Sequence, residues 1–96
     1  MICAINGLKY DTDNMELISE KIEYLYESNI AQLARFRYRE KNVKLYKSKK
    51  GNWLLTYEKD STTTYGKALT EEEAKSYLIR YDLEKYEELF GELEEA

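Results

Sequence analysis

Histidine and proline are absent from this 96-residue chain, cysteine occurs once and glycine four times. Without an imidazole the chain lacks the commonest general base and the commonest metal ligand. A single cysteine excludes an intramolecular disulfide. Cys3 stands in the apolar run Met1-Ile2-Cys3-Ala4-Ile5, has no basic neighbour before Lys9, and is expected to be a small buried hydrophobe rather than a reactive thiol. No hydrophobic stretch is long enough for a signal-peptide core or a membrane span, so a cytoplasmic chain is expected. There is no glycine-rich phosphate loop, no serine in a nucleophile elbow and no Cys/His cluster for zinc. These absences point away from an enzyme, a cofactor or a metal centre and toward a protein that binds. With no proline, low-complexity linker or internal repeat, residues 1–96 are expected to form a single domain.

Ten tyrosines make up most of the aromatic content. Their rings bury well while their hydroxyls seek water or a partner, which suits the rim of a core and also the centre of an interface. Ile2 to Ile5, Asn6-Gly7 and Leu8 to Tyr10 predict a tight hairpin, because Asn-Gly tolerates the positive φ angles of such turns. Asp13 as N-cap with Glu16 three places on predicts a helix. Met15, Ile18, Ile22, Leu25 and Tyr26 continue it at three- and four-residue intervals, toward Leu33. From Ala34 the period becomes two, with Phe36 and Tyr38 alternating with Arg35, Arg37 and Arg39. Val43 and Leu45, then Trp53, Leu55 and Tyr57, extend this alternation on either side of Lys49-Lys50-Gly51-Asn52, a hairpin connection. Residues 61–66 are compatible with an edge strand or a loop. Thr70-Glu71-Glu72-Glu73 is a second capping box, with Leu69 and Ala74 as its hydrophobic staple. The apolar stripe shifts phase near Asp82, which predicts two helices, the second closed by Gly91. The expected fold is α+β: a small antiparallel sheet with an N-terminal helix and a C-terminal helix pair packed on one face.

The net charge of −4 conceals a segregation. Residues 1–34 hold six acids and two bases, residues 35–67 ten bases and three acids, and residues 68–96 ten acids and three bases. Two surfaces follow. Acidic helices presenting Glu72, Glu73, Glu84, Glu87 and Glu88 beside Tyr77 and Tyr81 suit a protein partner with a basic groove. Alternatively, the basic hairpin 35–53, through Arg35, Arg37, Arg39, Lys44, Tyr46, Lys49, Lys50 and Trp53, combines phosphate-pairing charge with stackable rings, the combination that holds single-stranded nucleic acid. Charge runs of either sign are more often a solvated face, and an acidic protein repels nucleic acid at long range. An exposed tyrosine face also suits a symmetric homodimer. Asp11-Thr12-Asp13 lacks the ligands and glycine that a calcium loop needs at Met15 and Glu16, so capping is its expected role.

With these residues in view, the chain resembles a family of small proteins from phages, prophages and other mobile elements of Firmicutes. The resemblance is carried by Asn6-Gly7 leading to Tyr10-Asp11-Thr12-Asp13, by Leu45-Tyr46-Lys47 with Lys50-Gly51-Asn52-Trp53-Leu54-Leu55, by Leu69-Thr70-Glu71-Glu72-Glu73-Ala74 and by Tyr86-Glu87-Glu88-Leu89-Phe90-Gly91-Glu92. The chain departs from it in the charged stretch before the basic strand and in a shorter loop between Tyr57 and Leu69. Proteins of this origin include anti-CRISPR inhibitors, so the resemblance implies a role in the host cytoplasm, against a defence complex such as a CRISPR effector nuclease, through protein–protein contacts.

Overall fold

The computed structural model describes residues 1–30, 34–59 and 63–96, and the side chains of these except 26–30 and 34–38. Within them the chain is α+β, with antiparallel sheets and two C-terminal helices. Strands β1 (Ile2–Ile5) and β2 (Leu8–Asp11) pair around Asn6 and Gly7, whose φ angles of 51° and 77° are the two positive values that a type I′ hairpin turn requires. Strand β3 (Glu16–Ser19) lies at one edge of a four-stranded sheet, followed across it by β6 (Lys41–Lys47), β7 (Trp53–Glu58) and β8 (Thr64–Leu69). Strands β4 (Leu25–Ile30) and β5 (Ala34–Arg39) form a separate two-stranded ribbon, closed at its base by the Glu40 N–H donating to the Tyr24 carbonyl at 2.9 Å. Of residues 61–66, 64–66 belong to β8, while 61 and 62 lie outside the described residues.

Helix α1 (Glu71–Tyr81) starts on the expected capping box: the Glu73 N–H donates to Thr70 Oγ1 at 3.1 Å, and the Thr70 N–H donates back to Glu73 Oε1 at 3.0 Å. Asp82 ends α1 and caps α2 (Leu83–Phe90), which Gly91 closes with a φ of 96°. Asp82 is buried. Its Oδ2 accepts from Ser19 Oγ at 2.6 Å and its Oδ1 from the Lys85 N–H at 3.3 Å, so one carboxylate fixes the angle between the helices and ties them to β3.

The helix expected from Asp13 onward does not form. Asp11, not Asp13, caps a short 3₁₀ turn at Thr12–Asn14 by accepting from the Asp13 N–H, and Met15 leaves that turn extended. The register of β3 against β6 then slips between Leu17 and Ser19, so Ile18 and Ser19 are both buried in succession. A bulge of this kind breaks two-residue alternation, and the broken pattern imitates helical spacing. Ile18 and Ile22 still reach the core, but as strand and connector residues.

Register places Leu45, Leu55, Trp53 and Leu69 on one face of the sheet. Ile18, Ile22, Val43, Ala74 and Leu78 complete a core against that face, with Tyr77, Tyr81, Tyr86 and Phe90 around it. The opposite face carries Leu54 and Thr56, both buried. The β1–β2 hairpin covers it: a Cβ added at Gly66 would stand 3.1 Å from both Cys3 Sγ and Met1 Cε and 3.3 Å from Leu54 Cδ1. The sheet is thus a middle layer between hairpin and helices.

Candidate functional site

Tyrosines from three elements and one connector converge where the helix-bearing face of the sheet reaches solvent. Tyr24 precedes β4, Tyr57 ends the apolar row of β7, Tyr65 is its cross-strand neighbour on β8, and Tyr77 and Tyr81 come from α1. Ring centroids lie 4.7 Å apart for Tyr24 and Tyr57 and 5.9 Å apart for Tyr57 and Tyr65, the latter pair stacked. The Lys67 ammonium sits 5.4 Å from the Tyr24 centroid, and the Arg80 guanidinium 5.5 Å from that of Tyr81. Burial raises the phenol pKa of Tyr57 and of Tyr77, with neighbouring Tyr24 a further cause in each case. Both therefore stay protonated, as hydrogen-bond donors, past the ordinary phenol range. A shallow groove of about 320 Å³ runs along α1 between Glu73, Ser76, Tyr77, Arg80 and Tyr81.

Of the acidic and aromatic residues expected to meet a protein partner, Glu73, Tyr77 and Tyr81 are thus brought together, one helical turn apart along α1. Glu73 is exposed, but its carboxylate also serves the capping box, whose Thr70 N–H bond is the main reason its pKa lies below the glutamate range. Glu72 lies in the same first turn and lines no part of the groove. Glu84 and Glu88 are exposed one turn apart on α2, with Glu88 paired to Lys85 at 3.1 Å; Glu87 is half-buried. The charge run therefore divides between two helices. Sequence reasoning missed Tyr24, Tyr57, Tyr65, Lys67 and Arg80. For Tyr57 the signal is present, since it closes the alternation begun by Trp53 and Leu55; Tyr24 falls within the stretch where the spacing predicts a helix.

The basic hairpin is not assembled as expected. Trp53 is 1% exposed and packs in the core, its ring 6.3 Å from Phe90 with the Lys47 ammonium 5.2 Å away, so it is withdrawn from any base. A large apolar ring at the start of an inward-facing row gains more by burial than by display. Arg35 and Arg37 lie on β5 in the separate ribbon, and their side chains lie outside the described residues. Arg39 is paired with Glu23 at 3.2 Å, and Lys44 stands 3.9 Å from Glu20. Tyr46 shares the Leu54 side of the sheet, whereas Lys49 and Lys50 are exposed at the β6–β7 turn.

Among the described residues no group of three or more acidic, Cys or His side chains is placed to hold a metal ion, and no helix is long and apolar enough to cross a membrane. No protein-family model matches the chain, and neither a curated protein nor a solved structure matches it.

Proposed function

We propose that this chain is a binding protein that acts through protein–protein contacts, of the kind mobile elements encode to inhibit a host defence complex in the cytoplasm of the host cell. The observation that carries the reading is the convergence of Tyr24, Tyr57, Tyr65, Tyr77 and Tyr81 with Lys67, Arg80 and Glu73. Tyrosine and arginine are the side chains on which interfaces concentrate their binding energy, and rings already packed on one another lose little freedom when a partner arrives. The resemblance to mobile-element proteins supplies the class of partner, a CRISPR effector nuclease being the first candidate.

The test is complex formation on a sizing column with the CRISPR effectors of the host, together with target cleavage in the same mixtures. Binding and loss of cleavage are expected. Tyr77→Ala and Tyr81→Ala should each weaken the complex by about thirtyfold, as for an interface residue contributing roughly 2 kcal/mol. Absence of a complex across the host's whole effector set overturns the proposal.

A further inference from the structure

A second surface is independent of the tyrosine face. Most described basic side chains are already engaged: Arg39, Lys44 and Lys85 in ion pairs, and Lys47, Lys59, Lys67, Lys75 and Arg80 over aromatic rings. Lys9, Lys21, Lys41, Lys49 and Lys50 make no such contact among the described residues, and three of these, Lys9, Lys49 and Lys50, line one cleft of about 450 Å³. The cleft opens where the β1–β2 hairpin faces the β6–β7 turn, so residues forty positions apart in sequence meet there. Tyr10 and Met15 contribute to its apolar lining, while Asn14 and Asn52 add amides.

We infer that this cleft binds phosphate groups, those of a single-stranded oligonucleotide or of a free nucleotide. Unneutralised ammonium groups repel one another, and an anion bridging them relieves that repulsion. The one carboxylate lining the cleft is held by its own turn: Asp11 Oδ1 accepts from the Asp13 N–H at 3.1 Å, and Oδ2 from Asn14 Nδ2 at 3.2 Å. Asp13 and Glu16 line the adjoining hollow, where Lys47 and Lys49 accompany them. The Ser48 hydroxyl already accepts from the Asn52 N–H at 3.0 Å, which leaves its proton to donate. Lysines as point charges beside hydroxyl and amide donors are the set that contacts phosphate, whereas planar carboxylates are matched best by the arginine fork, and no arginine lines this cleft. Only Lys49 and Lys50 of the basic residues singled out in the sequence belong to it; Lys9 and Asn14 come from another part of the chain.

The probe is fluorescein-labelled dT12, followed by anisotropy with the full chain from 50 to 200 mM NaCl. Three phosphate contacts on a single strand give a slope of log K against log salt near −2, so affinity should fall about twentyfold over that range. Lys9→Ala should reduce the slope by about 0.7, whereas Lys21→Ala, exposed and outside the cleft, should leave it unchanged. Inorganic tripolyphosphate and ATP should both displace dT12, and ATP displacing better than tripolyphosphate would assign part of the affinity to the nucleoside. No binding at 50 mM salt, equal slopes for the two variants, failure of tripolyphosphate to compete, or equal competition by oligo-glutamate of the same charge overturns the inference. None of these outcomes depends on the protein partner proposed above.

Discussion

Two kinds of residue set the stability of this chain by opposite means, one through a charge that is buried and the other through protons that are retained. Asp82 is 8% exposed, yet it ends one helix, starts the next and accepts from Ser19 across 63 positions of sequence. Asp82→Ala removes a cap and a charge-assisted bond together and should cost roughly 2–4 kcal/mol in denaturant titrations. Ser19→Ala should cost less. The double variant should fall short of the sum of the two by about 1 kcal/mol, as for partners in one bond, and strict additivity would show that the two side chains act separately. Tyr57 and Tyr77 act in the other sense. Their folded pKa values are raised, chiefly by burial, so their contribution is complete below the ordinary phenol pKa of 10.0 and is lost as pH climbs through the higher folded value. Alkaline unfolding should therefore follow tyrosinate absorbance. Tyr77→Phe, with no proton to lose, should shift the alkaline limb to higher pH.

At the scale of elements, several features decided within a few residues were legible in the sequence. The positive φ angles of Asn6, Gly7 and Gly91 and the reciprocal Thr70/Glu73 capping box are set by residues that are neighbours in sequence, and each stands where expected. Residues 13–30 were misread because their fate is set by distant partners. Glu16 faces Lys47 in register and Glu27 faces Arg37, and a β-bulge gave Ile18, Ser19 and Ile22 a spacing that imitates a helix. Propensity is a weak prior against such pairing. The candidate site divides in the same way: Glu73, Tyr77 and Tyr81 were visible at helical spacing, whereas the tyrosines that meet them from other elements were not. Neither was the docking of the β1–β2 hairpin, which turns on Gly66 in the middle of β8. Gly66→Ala should destabilise the protein by about 1 kcal/mol, because the new methyl group meets Cys3, Met1 and Leu54 in a filled interface. Combining it with Cys3→Ala, which vacates the Sγ position, should recover part of that loss in thermal melts. A double variant weaker than the sum of the two would place the strain on Leu54 instead.

For the molecule as a whole, the layered arrangement makes the first eleven residues and the last helices dependent on the same four strands. Leu54 and Leu55, both fully buried, point to opposite sides of one strand, toward hairpin and helices respectively, so neither cover can leave without exposing the sheet between them. A chain of 96 residues so arranged should unfold as one unit, with a free energy of about 5–10 kcal/mol. Its single tryptophan is well placed to report this. Trp53 starts β7, pairs across the sheet with Lys47 and Leu69, and lies against Phe90 in the last turn of α2. Its emission therefore senses the sheet and the helices together, while circular dichroism at 222 nm is weighted toward the helices. The two signals should trace one urea transition with the same midpoint. If ellipticity were lost first while Trp53 stayed shielded, α1 and α2 would form a separable cover, and the tyrosine face that α1 shares with the strands would assemble only in the fully folded chain. A coincident transition means instead that α1 stays docked, with Tyr77 beside Tyr24, whenever the sheet exists, which is the preorganisation the proposed interface requires.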